Sequence, residues 1–340
     1  MTTFALLFLA IVPAAPVTAS GLWSTVGVAA PSPAPEPAGL GIRLLDIPAN
    51  SKDDPRARAY IVDRLAPGTE ISRRIRVVNN TGVPQSVLLY PGTAHIHDGS
   101  FIGDDAGTEN ELSSWTTLER QQLELAPGES ADVVTTIRVP DDAAEGEQYG
   151  AVWAEMRSTN DEAAKGSVIE VNRVGIRIYL SVGPGNGKPA DFTITSLTAA
   201  RGSEGQAQLT ALVTNTGGRA LDISGNLTLN EGPSNLSAGP FSVQKATTIA
   251  LGEAQKVVFL LPAEIPNGPW TAKVRLESGL LEHEATAPIT FPDNGSATAA
   301  APVQEPGISL LFIVGIASAL ILALGIGTMF VRHHRRPRPV

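Results

Sequence analysis

Val174-Gly175-Ile176-Arg177-Ile178-Tyr179-Leu180-Ser181-Val182 alternates large apolar residues with glycine, arginine, tyrosine and serine. Successive side chains of a strand point to opposite faces, so this run has one apolar face and one mostly polar face, the pattern of a half-buried β-strand. The same period recurs upstream at Ala131, Val133, Thr135, Ile137 and Val139, and at Ile71, Ile75 and Val77, with Arg74 and Arg76 facing away. It recurs downstream at Ala207, Leu209, Ala211 and Val213, at Val257, Phe259 and Leu261, and at Trp270, Ala272, Val274 and Leu276. Between the two chain ends no segment keeps a 3.6-residue apolar period, and one short helix is expected around Leu112 and Trp115. The fold class is all-β.

Two stretches of the chain share a word order. The first reads Val78-Asn79-Asn80-Thr81-Gly82, then Leu125-Ala126-Pro127-Gly128-Glu129, a strand closing at Val139-Pro140, and Gly146 shortly before Tyr149. The second reads Val213-Thr214-Asn215-Thr216-Gly217, then Leu251-Gly252-Glu253, a strand closing at Leu261-Pro262, and Gly268 shortly before Trp270. Asn and Gly tolerate the positive φ of tight turns, and Pro ends a strand by removing a hydrogen-bond donor. Repeated twice, this spacing predicts two immunoglobulin-like β-sandwiches.

Composition bounds the rest. The 340 residues contain no cysteine, which removes disulfide scaffolds, thiolate nucleophiles and thiolate metal sites. A formal charge of −9 argues against nucleic acid, whose phosphates need clustered Lys and Arg. The apolar start followed by small residues reads as a signal peptide or N-terminal hydrophobic segment over 1–30, and 31–39 as a Pro-rich linker. The expected order continues with a first β-sandwich at 40–184, a linker at 185–188, a second Ig-like domain at 189–292 and an Ala/Pro-rich stalk at 293–306. Residues 307–331 are uncharged and long enough to span a bilayer, so a transmembrane helix is expected there, with 332–340 as a basic cytoplasmic tail. Arg332, Arg335, Arg336 and Arg338 place that tail inside and both β domains on the extracytoplasmic side, which makes the chain a single-pass cell-membrane protein.

The run Gly41-Ile42-Arg43-Leu44-Leu45-Asp46-Ile47-Pro48, with Asp54 to Val62 and Leu65-Ala66-Pro67-Gly68, resembles the opening of the peptidoglycan-binding domain of the WxL-interacting protein family. The resemblance continues through Arg76 to Thr81, Leu125 to Ser130 and Ile137 to Pro140, and covers about residues 40–160. It implies a bacterial cell-envelope scaffold that contacts peptidoglycan through its first domain and a surface protein through its second. The residues also allow a protein–protein adhesion or assembly subunit that pairs through a sheet edge without glycan binding.

Catalytic chemistry is sparse. No phosphate-cradling Gly-rich loop or Gly-x-Ser-x-Gly element is present, and the expectation is a non-enzyme without cofactors. His95 and His97 fall on one face of a strand beside Asp98, a candidate metal pair whose plain alternative is an exposed polar hairpin. The acidic loop 98–109 is a second candidate, for calcium. Arg56 and Arg58 offer planar donor forks to a carboxylate, against a local ion pair with Asp53 or Asp54. Tyr60, Trp115 and Tyr149 complete the candidate ligand set as stacking surfaces, although core packing is the ordinary role for Trp115 and Trp153.

Overall fold

The computed structural model describes residues 39–48, 51–157, 171–185 and 187–305. The N-terminal hydrophobic segment, the Pro-rich stretch, the 307–331 run and the arginine tail lie outside the described residues. Among the described residues no helix is long and apolar enough to cross a membrane.

The first sandwich begins with β1 (Leu40–Leu44), α1 (Pro55–Ala59), β2 (Ile61–Leu65), β3 (Glu70–Asn79) and β4 (Gln85–His97). It continues with β5 (Ser100–Gly103), α2 (Glu111–Trp115), β6 (Thr116–Leu118), β7 (Gln122–Leu125) and β8 (Ser130–Arg138). The long strands β9 (Gly146–Arg157) and β10 (Val171–Val182) close it. One sheet has the order β1-β3-β8-β6 and the other β2-β10-β9-β4-β5, with β7 also on β4. The second sandwich uses β11 (Phe192–Arg201), β12 (Ala207–Asn215), β13 (Leu221–Asn230), β14 (Ala238–Ser242) and β15 (Thr247–Ile249). It ends with β16 (Ala254–Leu260), β17 (Trp270–Ser278), β18 (Leu281–Ile289), β19 (Gly295–Ser296) and β20 (Val303–Glu305). Its sheets run β16-β12-β11-β19 and β14-β13-β17-β18-β20, with β15 on β13.

The alternating residues face inward. Ile75, Val77, Val133, Ile137, Ile176, Ile178 and Leu180 are buried in the first core. Leu209, Val213, Val257, Phe259, Trp270 and Val274 are buried in the second. The shared word order has one physical centre in each sandwich. Asn79, fully buried, donates its side-chain amide to the carbonyls of Val83, Leu125 and Ala126, while its Oδ1 accepts from the Thr81 backbone N–H and hydroxyl. Asn215 donates to the carbonyls of Arg219 and Ile249 and accepts from the Gly217 backbone N–H. The Asn79 backbone N–H reaches the Glu129 carbonyl at 3.0 Å and that of Asn215 the Glu253 carbonyl at 2.9 Å. Gly128 and Gly252, with φ of +74° and +71°, supply the left-handed residue that lets each of these turns close. A buried amide thus ties the end of one sheet to the loop that crosses to the other, and its own polar atoms are all satisfied there.

The segment expected to be a free stalk is partly strand. Gly295–Ser296 pairs with β11, Ala300 bridges Leu197, and Val303–Glu305 pairs with β18. Both β11 and β18 end a sheet on that side, so the outgoing chain satisfies groups that those edges would leave bare.

Candidate functional site

Arg56 is placed by its own helix. Asp54 caps α1 by accepting the Arg56 backbone N–H at 2.9 Å, and Pro55 occupies the first helical position, where no donor is needed. The guanidinium is turned toward the second sandwich. Its Nε donates to Asp222 Oδ2 at 2.9 Å and its Nη1 to the Ala220 carbonyl at 3.0 Å, and it lies 4.8 Å from the centre of the Tyr179 ring. Asp222, on β13, also accepts from the Tyr179 hydroxyl at 2.9 Å and the Thr248 hydroxyl at 2.8 Å, and Arg177 stands 3.4 Å away. Glu147, on β9, accepts from the Ala220 backbone N–H at 2.7 Å and the Tyr149 hydroxyl at 2.6 Å. Burial pushes the Glu147 carboxyl above its usual range, and burial next to these carboxylates pushes the Tyr149 and Tyr179 phenols up as well. The β4–β5 hairpin adds a second contact. Asp98 and Gly99 both take positive φ at its tip, as a two-residue hairpin turn requires, and the Gly99 carbonyl accepts the Thr248 backbone N–H at 2.8 Å.

Of the sequence candidates, Arg56, Tyr60 and Tyr149 come together in this joint between the sandwiches, with the two tyrosine rings 5.8 and 6.0 Å from that of Tyr179. Arg58 is exposed on the other side of α1 and donates to the Lys52 carbonyl. Neither arginine side chain pairs with Asp53 or Asp54. Trp115 lies apart, half-buried against the first core and bordering a shallow groove with Arg138 and Pro140. His95 meets Asp104 at 2.8 Å and His97 meets Asp98 at 3.3 Å. Among the described residues no group of three or more His, Asp or Glu could hold a metal ion. Asp222, Glu147 and Tyr179 carry the joint without having been singled out, because a single outward acid in an alternating strand looks like any solvated residue.

Trp153 departs from the core role. It lies half-buried on the outer face of β9 with Arg173 stacked 4.5 Å from its ring centre. Gly92, Gly103 and Gly175 floor the indole so closely that a Cβ on any of them would fall within 2.7 Å of it.

The same sheet has an incomplete edge. β10 pairs with β9 along its whole length, Val171 with Arg157 through Val182 with Gly146. β2 joins β10 in parallel, but only over Ile178–Val182. Among the described residues, Val171–Arg177 therefore carries a ladder on one side alone, and Val171 is half exposed at 49%. Among the described residues β1 pairs only with β3 and runs close to β10 without a ladder to it, so this side of the sandwich is bordered by two strand edges.

No protein-family model matches the chain, and no curated protein matches it. Solved structures do. The YadV chaperone is 14% identical at a TM-score of 0.40, covering 78% of this chain and 98% of that one. The complex of the Salmonella enterica SafA pilin with the SafB chaperone is 10% identical at 0.39, covering 75% and 99%. The Acinetobacter baumannii CsuC–CsuE chaperone–tip adhesin pre-assembly complex is 13% identical at 0.33, covering 68% and 96%. At these identities the likeness concerns fold alone. The WxL-interacting reading of residues 40–160 is corrected: no family model matches the chain, and the solved structures similar to it include chaperones and their complexes. With that family goes the peptidoglycan-binding function. The single-pass membrane localisation finds no support either: among the described residues no helix is long and apolar enough to cross a membrane, and 307–331 lies outside them.

Proposed function

We propose that this chain is a non-catalytic binding protein that holds a partner polypeptide by strand addition to the first sandwich. The open half of β10, Val171–Arg177, carries this reading. A strand edge has a row of backbone donors and acceptors that an extended peptide satisfies, and side-chain pockets beside it give selectivity. Here Val174 and Ile176 face the core side of the strand, while Val171, Arg173 and Arg177 share the opposite face. The joint serves this edge indirectly, because Arg177 and Tyr179 of the same strand grip Asp222 and fix β10 against the second sandwich. Chaperones held together with a pilin or a tip adhesin, as in the similar structures, are in keeping with a protein subunit as the partner.

The test is site-specific photocrosslinking in the native host, with the reactive side chain at Val171 and, as a control, at exposed Leu280 of the second sandwich. One protein crosslinked from 171 and absent from 280 is the expected result. Equal labelling from both positions, or none from 171, removes the assignment. Val171→Lys is expected to weaken capture, since a charge on an edge discourages pairing.

A further inference from the structure

We infer that the joint between the sandwiches is a binding site for one small tetrahedral oxyanion of phosphate or sulfate type, held by Arg56, Arg64 and Arg219. A pocket of about 240 Å³ opens there, and all three arginines line it. Arg56 is 6% exposed, and although its Nε and Nη1 are used, its Nη2 is buried without an acceptor. The Nε of Arg219 is buried and unpartnered in the same way. Among the described residues Arg64 and Arg219 make no side-chain hydrogen bond or ion pair, and the linker's Gly187 packs onto Arg64 so closely that a Cβ there would sit 1.9 Å from Nη1. A guanidinium N–H sealed from water with nothing to donate to is costly, and three of these cations on one cavity repel one another.

The acids in the wall do not relieve them. Asp63 is held by Arg73 at 2.8 and 2.9 Å. Glu147 already accepts from Ala220, Tyr149 and Ser181. Burial and the neighbouring Arg56 charge hold Arg219 below its ordinary range, against the weaker opposing pull of Asp54 and Glu147. A carboxylate is planar and suits a single fork, whereas donors converging from α1, β2 and the β12–β13 loop suit an acceptor with oxygens in several directions. The occupant would tie the two sandwiches together at the point where Arg56 crosses from one to the other. The site includes Tyr179 and Ser181 of β10 but uses none of the backbone groups of Val171–Arg177.

Inorganic phosphate is the probe, titrated into the full chain by calorimetry at constant ionic strength, with sodium acetate in a parallel arm. Saturable binding of one phosphate per chain is expected, at least tenfold tighter than acetate, and R64Q/R219Q is expected to lose at least tenfold in affinity. That variant removes no hydrogen bond, so its unfolding midpoint in chloride should equal or exceed that of the parent. No saturable heat with phosphate, acetate binding as tightly, or undiminished binding by R64Q/R219Q would each overturn the assignment.

Discussion

The two sandwiches share a framework and use their aromatic residues in opposite ways. Each is pinned by a buried asparagine, Asn79 or Asn215, at the same point of the same strand order. In the second, Phe192, Phe259, Trp270 and Phe291 are buried in the core. In the first, the fully buried core is aliphatic, while Tyr60, Tyr90, Phe101, Tyr149, Trp153 and Tyr179 gather on or beside the outer face of the β9–β10 sheet. Large rings make the most burial per residue, so a domain that places them outside is giving that area to a surface. On the proposed reading the second sandwich is the support and the first is the side that meets the partner.

The contrast is most strongly tested where burial is deepest. Trp270→Ala should cost about 3–5 kcal/mol in chemical denaturation, since the indole is buried and its Nε1 donates to the Pro266 carbonyl. Arg56→Ala should cost about 2–4 kcal/mol, because it leaves Asp222 with only the more distant Arg177 as a cation; a cycle with Asp222→Ala should return a large coupling. Asn79→Ala and Asn215→Ala should each lose about 1–3 kcal/mol, the former more because its amide serves three carbonyls and the latter's two. Trp153→Ala should cost only about 1 kcal/mol, mainly its contact with Arg173. A loss as large as that of Trp270 would erase the distinction between the two faces.

The smallest effect concerns pH. Burial raises the folded-state pKa of Glu147 above its ordinary 4.5, so between those two values the folded chain holds more proton than the unfolded one. Stability from this group is therefore highest at low pH and falls as pH rises through that window. Glu147→Gln keeps an acceptor for Tyr149 and Ala220, and should flatten that part of the stability–pH curve.

Much of the framework was legible because its causes are local. The alternation in β3, β8, β10, β12 and β17 needs only neighbouring residues to be read, and the Asn, Gly-Glu and Pro spacing repeats because the turns do. The joint was not legible, since Arg56 and Asp222 lie 166 positions apart and each has an ordinary local context. The resemblance to a wall-binding family misled for a related reason: Leu-Ala-Pro-Gly-Glu and Asn-Asn-Thr are turn chemistry that a sandwich needs whatever it binds. The open edge was hidden because it depends on where β2 stops, which no periodicity in β10 records.

That stopping point works as a ruler. α1 ends just before Ile61, so β2 cannot grow further along its neighbour, and among the described residues the open template runs from Val171 to Arg177. At about 3.3 Å per residue the described edge is about 23 Å long, and the proposed guest strand would be bounded at its Arg177 end by β2. Lengthening or shortening the helix that precedes β2 would change that length without touching a residue that makes contact.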